Sequence, residues 1–240
     1  MPTIAEINSE ARDLCDADTT SYPAATLLRR INQAYETVVG WIINVDGTWQ
    51  FDDQNYTDLP IGTQALVAAQ RAYTFNDKFL QLLEVQVKDV NGNWTILKPI
   101  DQVDIAGNIP LDELYDTDGL PICYDKVSED TIKLYPAPDA GISVTLASGL
   151  KIKFKRTASV FTSAEVTTGT KVPGFPSPYH YILSYMAAIP YCMTYKKDRV
   201  GLYEKRVMDM KKELLKLYAL REKDVRNIMT TSPVRGGMWR

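Results

Sequence analysis

The stretch LLEVQVKDVNGNWTILKPI, residues 82–100, decides how the middle of this chain folds. Val, Ile, Leu and Trp dominate both halves, and Asn91-Gly92 between them is the strongest short signal for a β-hairpin. The period of two returns in TIKLYPAPDAGISVTLASGLKIKFKR at 131–156, with turn residues at 136–141. Residues 63–173 are therefore predicted to form an antiparallel β-sandwich or barrel of about six strands, with 104–121 as a long loop.

Before this region the sequence has the patterns of two helices. Thr3 and Glu6 form a capping box ahead of a short amphipathic helix, and Pro23 fits the first turn of a longer one. Apolar residues recur in the longer helix at spacings of three and four, as one buried face requires. These residues are Leu28, Ile31, Tyr35, Val38 and Ile42.

Helical patterns return after the β region. Ser177 and Pro178 are predicted to begin a helix that Pro190 kinks, and a last helix is predicted from about Arg199 to Asn227. Its apolar stripe consists of Tyr203, Val207, Met210, Leu214 and Leu217. The fold class is thus α+β: residues 1–62 and 174–229 form a core resembling a four-helix bundle, and 63–173 are an inserted β domain.

The chain ends in TTSPVRGGMWR at residues 230–240, which resembles no packed helix end. Its Pro and two Gly predict an extended segment, whereas Trp and Arg are the residues most enriched at binding hot spots. We interpret the segment as a docking peptide whose contact residues are Arg235, Met238, Trp239 and Arg240. The alternative is a frayed terminus without a partner.

Charge is distributed unevenly along the chain. The formal net charge of −3 combines 14 Lys and Arg against 24 Asp and Glu in residues 1–195 with 13 against 6 in residues 196–240. So acidic a body is a poor partner for nucleic acid, because affinity for DNA comes largely from neutralised phosphates. No signal peptide is recognised at the N-terminus, and the most apolar stretch, 181–195, is too short to span a bilayer, so synthesis in the cytosol is expected.

No catalytic, metal or cofactor site is predicted from the sequence. Cys15, Cys123 and Cys192 are odd in number and far apart, and His180 is the only histidine, so neither a disulfide framework nor a zinc site is expected. His180 is interpreted as a structural hydrogen-bonding residue. The acid pairs lie in loop-like sequence, where solvated carboxylates are the usual case, and the segment from Asp116 lacks the ligands of a calcium loop. The pairs are Asp52 with Asp53, Asp101 with Asp104, and Asp112 with Glu113.

Lys151, Lys153 and Lys155 alternate along one predicted strand, so all three lie on one face of the sheet. Such a row is typical of a charged strand that resists aggregation. Contact with phosphate is the alternative interpretation.

Taken together, three parts of the sequence resemble the head-to-tail adaptor proteins of tailed bacteriophages, also called connector or head-completion proteins. The first is TIAEINSEARDLCDADTTSYPAATLLRRINQAYETVV at 3–39, and the second is QRAYTFNDKFLQLLEVQVKD with NGNWTILKPIDQVDI at 70–105. The third is FPSPYHYILSYMAAIPYC at 175–192, followed by a long basic helix and RGGMWR. The resemblance covers most of the chain, although the long β insert departs from the smaller members.

The resemblance implies a structural protein of the virion. Its helices would pack side by side with those of other copies in a ring, typically of twelve, beneath the portal, and the C-terminal segment would extend onto the portal. DNA would pass through the channel without sequence-specific binding, downstream tail or neck proteins would attach below, and the acidic body would repel the duplex. The resemblance implies no cofactor and no membrane partner.

Two other classes of function remain open at this point. One is a β-sandwich that binds a ligand or carbohydrate and carries helical extensions, supported by Trp94, Tyr115, Tyr124 and Tyr135. The other is a hydrolase that uses the loop acids, for which no sequence motif speaks.

Overall fold

The structure is a computed structural model that describes residues 1–76, 79–100 and 110–224. It divides into two compact units. The helical unit holds Met1–Trp49 and the described residues from Val160 onward, and the β unit holds Gln50–Ser159. The fold is α+β, as predicted.

The helical unit contains α1 (Ile4–Cys15), α2 (Ala24–Val45), α4 (Ser163–Thr168), α5 (Ile182–Tyr195) and α6 (Lys197–Asp224). Thr3 and Glu6 form the predicted capping box of α1, with the Thr3 amide 2.7 Å from a Glu6 carboxylate oxygen. The short helix Ser177–Tyr179 is of the 3-10 type, so the predicted start at Ser177 precedes α5 itself by five residues.

α5 lies at the centre of the helical unit and contacts α1, α2 and α6. Such a position requires an apolar surface on most sides, and α5 accordingly buries small residues such as Ala187 and Ala188 as well as Ile182 and Leu183. Ser184, also fully buried, donates its hydroxyl to the carbonyl of Ile7 on α1 at 3.0 Å. Close helix packing and satisfied polar groups therefore occur together here.

The β unit contains eight strands in its described residues, more than the six or so expected. They are β1 (Ile61–Gln64), β2 (Ala72–Thr74), β3 (Phe79–Lys88), β4 (Trp94–Ile96), β5 (Lys98–Pro99), β6 (Cys123–Lys126), β7 (Thr131–Tyr135) and β8 (Leu150–Arg156). They form two four-stranded sheets, sheet A in the order β1-β8-β3-β4 and sheet B in the order β2-β7-β6-β5. Neither sheet closes into a barrel.

The hairpin predicted around Asn91-Gly92 connects β3 to β4. The Asp89 amide donates to the carbonyl of Asn93 at 2.9 Å, and one Asp89 carboxylate oxygen accepts the Asn93 amide at 2.7 Å. Gly92 has a φ of +88°, a conformation that glycine adopts without steric cost. The turn thus sets the register in which Lys88 lies opposite Trp94.

One buried cluster receives side chains from both sheets. Sheet A contributes alternate residues of β3 and β8, including Val85 and Ile152, and sheet B contributes Tyr73 together with Ile132 and Leu134. The residues between them in sequence point away from this cluster, because successive strand side chains alternate.

A second cluster covers the other side of sheet B. A short helix, α3 (Leu111–Leu114), lies inside the stretch predicted as a loop, and its Leu111 packs with Cys123 and Tyr135. Those two residues flank Tyr124 and Leu134, which belong to the first cluster, so α3 lies on the outer side of sheet B. Four residues are too few to show a helical period, which explains the missed helix.

Candidate functional site

The predicted docking residues Arg235, Met238, Trp239 and Arg240 lie outside the described residues, as do Asp101 and Asp104. Their roles stay predictions. The surfaces described below are therefore those that residues 1–76, 79–100 and 110–224 present.

The residues predicted to pack in the helical core differ in burial. Ile31, Tyr35 and Val38 of α2 are fully buried, whereas Leu28 is half-buried and its neighbour Leu27 is fully buried. On α6, Tyr203, Met210 and Leu214 are buried and Val207 is half-buried.

Leu217 is the clearest departure from the predicted α6 stripe. It is 42% exposed, and the next residue, Tyr218, is buried with its ring edge-on to Trp49 at 6.3 Å between centroids. A strict seven-residue repeat selects position 217, whereas a straight helix of 3.6 residues per turn drifts away from that repeat, so its buried face passes to position 218.

The start of α6 is fixed to the end of α1 by polar contacts. The Tyr203 hydroxyl and the Arg199 guanidinium donate to the carbonyl of Leu14 at 2.8 and 2.9 Å. Asp16, just after α1, accepts from Lys196 at 2.7 Å and pairs with Arg199 at 2.6 Å, and these contacts lower the pKa of Asp16. Three side chains, Lys196, Arg199 and Tyr203, thus contact the C-terminal end of α1, and two of them donate to its Leu14 carbonyl and orient the long α6.

Other apolar side chains of α6 face outward. Leu202 is 67% exposed and Met208 is 64% exposed, although both lie in a helix of 28 residues that buries a separate stripe. Together with Leu217 they form a set that we call the outer α6 residues. At about 100° per residue, Leu202 and Leu217 lie about 60° apart around the helix axis, whereas Met208 lies about 180° from Leu217, so the three side chains form no single patch.

The contacts of His180 are those of a structural residue. It is fully buried, with Nε2 2.6 Å from the carbonyl of Phe175 and Nδ1 3.2 Å from the carbonyl of Pro2. Burial lowers the pKa of His180, while the two carbonyl contacts oppose that shift. Both ring nitrogens face the backbone, so neither is directed at a substrate.

The cysteines and acids form no reactive arrangement in the described part of the chain. Cys15 and Cys192 have sulfurs 4.0 Å apart and both are fully buried, and burial raises the pKa of Cys15 to about 12, so its thiol stays protonated. Asp112 pairs with Arg71 at 2.5 Å, and buried Asp53 accepts the Asn55 amide at 2.9 Å. Among the described residues, no group of three or more His, Cys, Asp or Glu could hold a metal.

The aromatic residues that suggested a ligand-binding module are mostly core residues. Tyr135 is 2% exposed, and Tyr115 and Tyr124 pack against the two β clusters. Trp94 alone of the four is exposed, at 36%. These four aromatic residues therefore do not form the exposed platform that carbohydrate binding would need.

The outer face of sheet A carries a group that we call the lysine face: Lys88, Lys151, Lys153, Lys155 and Trp94. The three β8 lysines alternate with buried Leu150, Ile152 and Phe154, which confirms that they share one face. Lys151 Nζ lies 4.0 Å from the centroid of the Trp94 ring, and Lys153 pairs with Glu84 at 3.1 Å.

The outer side of sheet B carries the opposite charge. Four exposed acids lie in and just after α3, a group that we call the acidic face: Asp112, Glu113, Asp116 and Asp118. Arg71 holds this segment by contacts to Asp112 and, at 2.8 Å, to the carbonyl of Tyr115. The individual charges are evident in the sequence, but their placement on opposite sides of the unit depends on strand order.

The described residues include no helix that combines the length and the apolar content needed to cross a membrane. No curated protein sequence matches the chain. A family profile described as "SU10 adaptor protein" matches residues 2–236, which include the β unit as well as the helices. From this match over nearly its whole length, the chain belongs to the SU10 adaptor protein family, a family of phage head-tail adaptors.

Proposed function

We propose that this chain is a structural protein of the phage virion that assembles as a ring, joins the portal of the capsid to the tail and lines the channel for DNA ejection. The observation that carries the proposal is the family match over residues 2–236. Membership in a family of structural adaptors implies a protein that is not an enzyme, in agreement with the buried His180 and the protonated thiol of Cys15.

The proposed ring places the helices of neighbouring copies side by side. Leu202 and Leu217, about 60° apart around the axis of α6, support this arrangement because they expose apolar area that a neighbouring copy would cover. The polar contacts between α6 and the end of α1 hold that surface in one orientation. A ring of twelve copies is the expected number in this class of adaptor.

Each segment of the chain has a separate part in the proposal. Residues 1–62 and 174–229 form the bundle of the ring, 63–173 are a β-sandwich insert that contacts neighbouring copies or tail proteins, and 230–240 dock on the portal. Arg235, Met238, Trp239 and Arg240 would supply the docking contacts, since Trp and Arg in a short extended segment can make a few strong contacts.

The charge of the chain supports a passage for DNA rather than a DNA-binding site. Residues 1–195 have ten more acids than bases, so a channel lined by this part of the chain would repel phosphate and let the duplex slide.

Complementation of a phage that lacks this protein tests the proposal. The chain without residues 231–240 should keep its thermal stability but fail to restore tailed, infectious particles. Trp239→Ala should reduce the yield strongly, whereas the matched control Trp239→Phe, which retains an aromatic ring, should reduce it less. Normal yields with the truncated chain would refute the docking role of the segment.

A further inference from the structure

We propose that copies of this chain contact one another head to tail through their β units, with the lysine face of one copy on the acidic face of the next. The proposal deepens the proposed ring and rests on it. It assigns a role to the β unit and names a second copy of this chain as its partner.

The geometry of the β unit supports a head-to-tail contact. Val85 and Ile152 of sheet A and Ile132 of sheet B share one buried cluster, so the outer faces of the two sheets point in opposite directions. The lysine face belongs to sheet A, and α3 with its acids packs on the outer side of sheet B. Each copy thus presents one charged face on each side.

The two faces match in charge. In the described part of the β unit, Glu84 is the carboxylate paired within the lysine face. On the outer side of sheet B, Arg71 pairs with Asp112, and Lys98 lies opposite Cys123, so the four acids there outnumber these two bases. Lys133 and Asp125 lie opposite each other in the register of β6 and β7, so they add no net charge to the acidic side. Opposite faces of this kind attract between copies, whereas like faces repel.

Both faces also expose apolar side chains that a contact would bury. Trp94 and Ile96 are 36% and 61% exposed at the edge strand of sheet A. On the other side, Leu114 at the end of α3 is 49% exposed. An apolar centre within a charged rim is the usual composition of a protein interface, and Trp is a frequent hot-spot residue.

Opposite charges on opposite sides select one kind of symmetry. A two-fold dimer brings the same face of both copies together, which would place lysines against lysines or acids against acids. A head-to-tail contact pairs unlike faces. The first and the last copy in a row then each keep one free face, to which a further copy can bind. Repetition with a rotation that closes then gives a ring.

Charge-swap variants of the full chain test the proposal by sedimentation velocity at low and high salt. The first variant, Lys151→Glu with Lys155→Glu, makes the sheet A face acidic, and the second, Asp116→Lys with Asp118→Lys, makes the opposite face basic. Lys153 and Asp112 are left unchanged because each already forms an ion pair, Lys153 with Glu84 and Asp112 with Arg71. Wild type should self-associate at low salt, and each variant alone should associate at least tenfold more weakly.

An equimolar mixture of the two variants should associate again, because the acidic face of one then meets the basic face of the other. A chain carrying all four substitutions should also associate. This rescue shows that the variants are folded, and Lys151→Arg with Lys155→Arg, which keeps the charge, serves as the matched control and should behave as wild type.

Three results would overturn the proposal. The first is a wild-type chain that stays monomeric at low salt and high protein concentration, and the second is association that both variants retain. The third is a loss of association in both variants that is restored neither in their mixture nor in the chain with all four substitutions. A labelled DNA duplex added to the same samples tests whether the lysine face binds DNA instead of a second copy. If the monomeric wild-type chain binds the duplex and the first variant does not, the lysine face contacts phosphate.

The result of this charge-swap test can be told apart from the result of the complementation test of the adaptor role. Association that survives both charge reversals would refute this interface and leave a ring built by the helices. Charge-dependent association by a chain that fails to complement the defective phage would refute the adaptor role and retain the interface.

Discussion

Truncating Leu214 should destabilise the helical unit far more than truncating Leu217, three residues further along the same helix. Leu214 is fully buried, whereas Leu217 is 42% exposed. Leu→Ala removes three carbons, about 2.4 kcal/mol at roughly 0.8 kcal/mol for each buried CH₂. A residual cavity adds to this cost, so Leu214→Ala should lower the free energy of unfolding by about 3–4 kcal/mol, within the range of about 2–5 for such changes. Leu217→Ala should lower it by less than about 1 kcal/mol.

Urea unfolding followed by circular dichroism at 222 nm measures both variants, because this signal comes mainly from helices. Both must be compared with wild type at one protein concentration and one oligomeric state, since association adds to apparent stability. Equal losses for the two variants, or a loss under about 1 kcal/mol for Leu214→Ala, would refute the orientation of α6 described above.

Further predictions concern single positions. A Cβ built on Gly149 would lie 1.8 Å from the carbonyl oxygen of Thr145, so Gly149→Ala should destabilise the β unit strongly in thermal unfolding. Beyond its chain neighbours and the surrounding backbone of α6, Gly201 has no atom within 4 Å of such a Cβ, and Gly201→Ala should instead stabilise by about 0.5–1 kcal/mol. Because burial lowers the pKa of His180, the unfolded chain binds a proton more readily, and stability should fall as pH drops below about 6.5. A stability that rises as the pH drops below about 6.5 would show that the carbonyls of Pro2 and Phe175 raise the pKa of His180 more than burial lowers it. His180→Asn should remove the pH dependence in either case.

The elements with strong local signals were predictable from the sequence. α2 follows from an apolar period maintained over 22 residues, and the β3–β4 hairpin follows from Asn91-Gly92 between two apolar runs. The capping box of α1 follows from Thr3 and Glu6 alone. In each case the residues that determine the element lie within a few positions of one another.

Features that depend on distant residues were not predictable in the same way. The drift of a straight helix moves the buried face from Leu217 to Tyr218, but the packing of Trp49 on Tyr218, 169 positions away in sequence, has no local signal. The anchoring of Arg199 and Tyr203 on the end of α1 has no local signal. The alternation of Lys151, Lys153 and Lys155 was visible, but its opposition to the acids near α3 follows from two sheets that share one core.

The central claim is that this chain forms the ring between portal and tail, and the mass of its complex with a purified portal tests it most directly. Mass photometry of the portal with an excess of the chain should show one discrete complex, heavier by a full ring of copies of 27.0 kDa, twelve if the expected symmetry holds. The chain without residues 231–240 should leave the portal mass unchanged. An unchanged portal mass with the full chain, or a gradual gain of one or two copies, would contradict the account.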